Sequence, residues 1–108
     1  MNFDQIFNGI QDQTRALAQK LLKGYTDQAL GDLQDFAQKS RANLQRWTQQ
    51  LQQKELKPNE YKSLVRGQLD LAEMRALKQA GLAQVQIDTF TSGFLDILVG
   101  AATAAIPL

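Results

Sequence analysis

GFLDILVGAATAAIPL, residues 93–108, is the stretch that decides the fold of this chain. It carries one charge, on Asp96, and as a helix it presents apolar groups on almost every face. A helix that is apolar all round must be covered all round, by protein or by lipid. The other predicted helices are polar with one apolar side, so we expect them to cover this segment poorly within a single chain. What covers the last helix is therefore the central question about function.

Composition favours helices and argues against catalysis. Gln, Ala and Leu dominate the 108 residues, aromatic residues make up 7%, and only two residues are proline. This composition is typical of long helices, and the length suits a single domain, 1–108, with one modest core. Cysteine and histidine are both absent, which removes the commonest general base and the commonest metal ligands. We therefore predict no enzyme activity, no metal and no cofactor.

The formal net charge of +1 bears on partners and location. A near-neutral chain lacks the basic field that holds a nucleic-acid backbone, so nucleic acid is not a predicted partner. The N-terminus is acidic and polar, where a secretory signal would need a basic start and an apolar run. Residues 93–108 also fall short of the roughly 18–20 apolar residues of a membrane span. A cytoplasmic location is the resulting expectation.

Apolar residues recur at alternating spacings of four and three, the seam of a helix that packs on a neighbour. The first helix begins after Asn2, which can form a capping box with Gln5, and Gly24 suits its end. Pro58 fits the first turn of a later helix, and Gly81 either ends that helix or bends it. The spacing predicts an all-α antiparallel bundle of three to four helices, approximately 3–23, 27–55, 58–80 and 82–106.

The last predicted helix combines a seam with a second apolar side. Beyond Ser92 the back of the helix also becomes apolar, and small residues leave room for another helix to approach closely. Asp96 either lies on an exposed strip or meets a Lys or Arg of another helix or subunit, which would fix the register. We predict an interface between chains, or with a partner helix, formed by Phe90, Phe94, Ile97, Leu98, Gly100, Ala101, Ala104 and Leu108.

Three interpretations of the last helix follow, and they imply different functions. The leading hypothesis is a non-enzymatic, self-associating homo-oligomer, a structural, assembly or adaptor subunit whose last helix is buried against another subunit or a partner helix. The alternative is a granule-coating or membrane-inserting protein, peripheral to a membrane or a hydrophobic inclusion, that contacts lipid through residues 93–108. In the third interpretation, a monomeric four-helix bundle holds its last helix at the centre of its own core.

Overall fold

The computed structural model describes residues 1–107, in which every regular element is an α-helix. The prediction of an all-α fold is therefore confirmed. This part of the chain contains seven helices, because the longer predicted helices are interrupted, so the expected count of three to four is not confirmed. The helices are α1 Phe3–Gly9, α2 Gln11–Leu21, α3 Thr26–Lys39, α4 Arg41–Gln52, α5 Pro58–Leu71, α6 Arg75–Gln79 and α7 Gln84–Ala104.

Two of the interruptions are single residues at which one helix ends and the next begins at once. Ile10, between α1 and α2, has φ −101° and ψ 8°, and Ser40, between α3 and α4, has φ −103° and ψ 11°. The second helix of each pair starts at the bend residue, with hydrogen bonds of 2.9 Å from the Thr14 amide to the Ile10 carbonyl and from the Leu44 amide to the Ser40 carbonyl. The Thr14 hydroxyl also donates to the Ile10 carbonyl, a contact that often bends helices. Each pair of helices thus forms one bent rod.

The helix ends use several signals that the sequence displays. Asn2 and Gln5 form a reciprocal capping box, in which each side chain accepts a hydrogen bond from the other residue's amide at 2.9 and 3.0 Å. Pro58 occupies the first turn of α5. Gly24 and Gly81 each have φ +89°, which glycine adopts without steric cost, and they lie in the turns that follow α2 and α6.

The first four helices form an antiparallel hairpin of the two bent rods. α1 contacts α4 and α2 contacts α3, so the start of the first rod lies beside the end of the second. Asp4 of α1 forms an ion pair of 2.6 Å with Arg41 of α4. The Gln45 amide donates a hydrogen bond of 3.2 Å to the same carboxylate. The hairpin is therefore joined by polar contacts at its rim as well as by its core.

A buried polar pair joins α4 to α5. The hydroxyls of Thr48 and Tyr61 lie 2.9 Å apart, and both residues are fully buried. A buried hydroxyl without a hydrogen-bond partner would cost about 1–3 kcal/mol, and the bond between these two hydroxyls avoids that cost for both. Burial raises the pKa of the Tyr61 hydroxyl, and the hydrogen bond with Thr48 lowers it by less.

α7 lies at the centre of the fold, in contact with α1, α2, α4 and α5. The ring of Phe94 meets the rings of Phe7 and Phe36 edge to face, with centroids 6.2 and 6.4 Å apart, an arrangement that aromatic pairs prefer. The expectation that one chain covers its last helix poorly is wrong for this side of α7, because α1, α2, α4 and α5 pack against it and Phe36 of α3 meets Phe94. The buried residues of α7 are Ile87, Phe90, Phe94, Leu95, Leu98 and Ala102.

The helix predicted over 58–80 is broken at residues 72–74, ahead of the expected bend at Gly81. Met74 has φ 45° and ψ 52°, a left-handed conformation that is uncommon for a residue with a side chain. The break turns the chain so that Met74 is buried. Leu71, which the sequence pattern assigns to the apolar face of this helix, is instead 77% exposed.

A distant side chain caps the helix that follows this break. The Asp32 carboxylate of α3 accepts hydrogen bonds from the amides of Ala76, at 3.0 Å, and Leu77, at 2.9 Å. These amides lie in the first turn of α6, where no intrahelical partner exists. The five-residue helix α6 thus depends on α3 for its N-terminal cap.

Candidate functional site

An open groove runs between the first rod and α7, along residues of α7 that are half-buried or exposed. Its volume is about 540 Å³. The α7 wall extends from Asp96 to Ala104, which is about 12 Å at 1.5 Å per residue, enough for about two turns of a docked helix. The groove is lined by Met1, Gln5, Ile6, Gly9, Ile10, Gln13, Asp96, Ile97, Gly100, Ala101 and Ala104.

Isoleucines form the floor of this groove, and glycine and alanine form much of its walls. Ile6 and Ile10 of the first rod are buried beneath it, and Ile97 of α7 is half-buried beside them. A Cβ atom added at Gly9 or at Gly100 would meet nothing within 4 Å. The groove is therefore open because the two facing helices carry small residues along it.

The same side of α7 is closed seven residues earlier. Gly93 precedes Gly100 by one heptad and so lies on nearly the same face of the helix. At this level Leu17 of α2 covers the backbone: a Cβ atom at Gly93 would lie 2.9 and 3.2 Å from its two terminal methyl carbons. The large side chain of Leu17 thus fills the space that the groove leaves empty.

The rim of the groove is polar, and its side-chain charges are balanced. Asp96 forms an ion pair of 3.0 Å with Lys62 of α5, and their side chains are 68% and 41% exposed. Gln5 and Gln13 stand on the side of the first rod, and both are neutral. None of the lining residues that the structure describes is lysine or arginine. The groove therefore suits a neutral, apolar occupant.

The structure divides the predicted interface residues into two groups. Phe90, Phe94 and Leu98 are buried within the chain's own core. Asp96 lies on the rim, exposed and paired with Lys62, so it joins two helices of the same chain. Leu108 lies outside the described residues. The predicted residues that the groove brings together are Ile97, Gly100, Ala101 and Ala104.

The first rod contributes half of the site, and sequence reasoning missed that half. Ile6, Gly9 and Ile10 line the groove opposite α7. Their signal in the sequence was weak, because Ile10 fits a core seam and Ile6 lies beside it. Gly9 was the clearer signal. A glycine within a helical pattern is destabilising, so its presence there suggests a requirement of packing or function.

A second, smaller depression of about 190 Å³ lies beside the break between α5 and α6. Four of its charged side chains are exposed and paired, Lys39 with Asp35 at 3.0 Å and Arg75 with Glu73 at 2.6 Å, and the fifth, Asp32, is half-buried and caps α6. The hydrogen bond from Arg75, and its positive charge, lower the pKa of the Glu73 carboxyl. Within residues 1–107, no group of three or more Asp or Glu side chains is placed to hold a metal ion.

Comparison with known proteins identified no relative of this chain. No protein-family model, curated protein or solved structure matches this chain. In the described part of the chain, no helix has both the length and the apolar character needed to cross a membrane.

Proposed function

We propose that this chain is a non-enzymatic, self-associating helical protein, a structural or adaptor subunit whose groove receives a helix of a second copy. The observation that supports this most is the pair of glycines, Gly9 and Gly100, on the two walls. Within a helix, as at Gly100 in α7, glycine costs up to about 1 kcal/mol relative to alanine, and Gly9 is the last residue of α1. Neither glycine is needed for packing within the chain, because a Cβ atom would fit freely at both positions. They differ from Gly31 and Gly67, which are equally free of contacts, in that they line the groove, where they allow close approach of another helix backbone.

Charge favours a second copy of this chain as the occupant. The chain carries a net charge of +1, so copies repel each other little, and at the groove rim the side-chain charges of Asp96 and Lys62 balance. A lipid surface with anionic headgroups would instead attract lysine or arginine side chains, and the described lining offers none. Lys62, beside the rim, is already engaged by Asp96.

The outer side of α5 supplies the large side chains that the groove lacks. Leu64 and Leu71 are 36% and 77% exposed, and their spacing of seven places them on one side of the helix. This side lies about 200° around α5 from Lys62, which meets α7 at the groove rim. The ridge formed by Leu64 and Leu71 therefore faces a different direction from the groove. When the ridge of one copy packs into the groove of another, the contact is head to tail. Such a contact closes into a ring or continues as a filament.

Size-exclusion chromatography with light scattering, on the full-length protein without detergent, tests the proposal. The wild type is expected at a multiple of the 12.1 kDa chain mass. Gly100→Leu fills the groove and Leu71→Gln removes the ridge, so both are expected to give monomers with unchanged helix content. Gly31→Leu is the matched control, because Gly31 is also an exposed helical glycine with nothing within 4 Å of an added Cβ atom.

Two outcomes would contradict the proposal. A wild type that stays monomeric at the highest attainable concentration would leave the groove without a second copy. If Gly100→Leu and Gly31→Leu changed the solution mass equally, self-association would not depend on the groove. If the monomer instead floats with vesicles of anionic phospholipid, and Gly100→Leu reduces that binding, the lipid-associated alternative takes precedence.

A further inference from the structure

The sequence of residues 58–79 favours one continuous helix, whereas the structure has two helices, α5 and α6, with a break between them. Ala72, Glu73 and Met74 separate α5 from α6, yet all three types are among the strong helix formers. Met74 also takes a left-handed conformation that its side chain disfavours. Local preference and observed backbone therefore disagree at this point, and natural sequences seldom carry such a conflict without a compensating gain.

Contacts with the rest of the fold hold the break. In a continuous helix, Met74 would point about 180° and Leu77 about 120° away from the buried Val65, so both would leave the core. With the break, Met74 is only 5% exposed and Leu77 is fully buried. The Asp32 carboxylate adds two hydrogen bonds to the first turn of α6. The broken form thus depends on side chains that lie outside residues 58–79.

We propose that Pro58–Gln79 is a two-state element, in which α5 and α6 convert into one continuous helix when Asp32 no longer caps α6. In the continuous form Met74 joins Leu64 and Leu71 on the outer side of the helix, at spacings of seven and three. Two of these side chains are already exposed, so the conversion lengthens an existing apolar side. This inference does not depend on the groove or on self-association.

Amide hydrogen exchange, followed by NMR on the full chain, tests the conversion. In Asp32→Ala the amides of residues 73–75 are expected to exchange at least tenfold more slowly, because a continuous helix bonds them to the carbonyls of residues 69–71. Simple fraying of α6 would speed exchange at residues 76–79 and leave 73–75 unprotected. That second result would overturn the proposal.

A matched pair of variants at Glu73 separates helix formation from loss of charge. Glu73→Gly and Glu73→Ala both remove the exposed carboxylate that pairs with Arg75. Glycine disfavours a helix and alanine favours it, so in the Asp32→Ala background only the alanine variant is expected to keep the slowed exchange. Equal exchange rates at residues 73–75 in the two double variants would overturn the proposal.

A milder change covers the case in which Asp32→Ala does not fold. Asp32→Asn keeps one oxygen acceptor, so the continuous form is expected to rise as a minor state. Relaxation dispersion on residues 72–79 should then show a larger exchange contribution in Asp32→Asn than in the wild type, and a smaller one in Glu73→Gly. No difference among the three proteins would contradict a two-state element.

Discussion

Gly93 and Gly100 lie on the same side of α7, one heptad apart, and differ in what faces them. Leu17 of α2 lies against Gly93, whereas Gly100 borders the open groove. The two positions are identical in residue type and similar in helical phase, so the difference is made by the facing rod, which presents leucine in one place and Gly9 in the other. Whether a side of the last helix is closed or open thus depends on the helix opposite as much as on α7.

Removing a ring from the closed part should have the largest effect. Phe94→Ala is expected to lower the free energy of unfolding by about 3–5 kcal/mol, because the ring is fully buried between Phe7 and Phe36. Ile97→Ala, beside the groove, should cost only about 1 kcal/mol, since Ile97 is half-buried. Urea denaturation measures both. Equal losses would mean that the two parts of α7 are covered alike.

Substituting leucine for each of the two glycines tests the comparison directly. Gly93→Leu is expected to destabilise the monomer by about 1–3 kcal/mol, because the added side chain must displace Leu17. Gly100→Leu meets open space and replaces a helix-disfavouring glycine, so the monomer should be unchanged or more stable by up to about 1 kcal/mol. Thermal and urea unfolding at a concentration where both are monomeric would show the contrast. A destabilised Gly100→Leu monomer would show that the groove is closed in solution.

α5 is one of the helices that pack against the buried side of α7, and the hydrogen bond between Tyr61 and Thr48 joins α5 to α4. Tyr61→Phe should cost about 1–2 kcal/mol by leaving the Thr48 hydroxyl without a partner, while the double variant with Thr48→Val should recover most of the loss. Burial raises the folded-state pKa of Tyr61, so its contribution is complete below the unfolded value of about 10 and is lost as pH rises through the folded value. Urea midpoints across this alkaline range should fall more steeply for the wild type than for Tyr61→Phe. Parallel pH profiles would contradict the assignment.

The smallest effect is expected at the rim of the open part. Asp96→Asn removes the ion pair with Lys62, but both side chains are substantially exposed, so the loss should stay below about 1 kcal/mol. Added salt should shrink the difference between wild type and variant, since it screens exposed charges. A loss above 2 kcal/mol, insensitive to salt, would indicate that Asp96 is more buried in solution than the groove geometry implies.

The sequence predicted those parts of the fold that local chemistry controls. Helical periodicity, the Asn2–Gln5 capping box, Pro58 in a first turn and helix ends close to Gly24 and Gly81 all appear in the structure. The break at residues 72–74 could not be predicted, because those residues favour a helix and a carboxylate from α3 holds the break.

The candidate site was predictable only on the α7 side. The small residues Gly100, Ala101 and Ala104 were identified by their spacing, and they line the groove. The opposite wall, with Ile6 and Gly9, depends on how the first rod bends and crosses α7, which no local pattern contains. For the same reason, the sequence did not show that Phe90, Phe94 and Leu98 would be enclosed by the chain itself.

We expect the hydrogen bonds of Asp32 to α6 to form late in folding. A helix of five residues is too short to be stable alone in water, so α6 cannot form before α3 is in place. The turn at Met74 would be made late, when Asp32 reaches the amides of Ala76 and Leu77. Loss of Asp32 should accordingly speed unfolding far more than it slows folding.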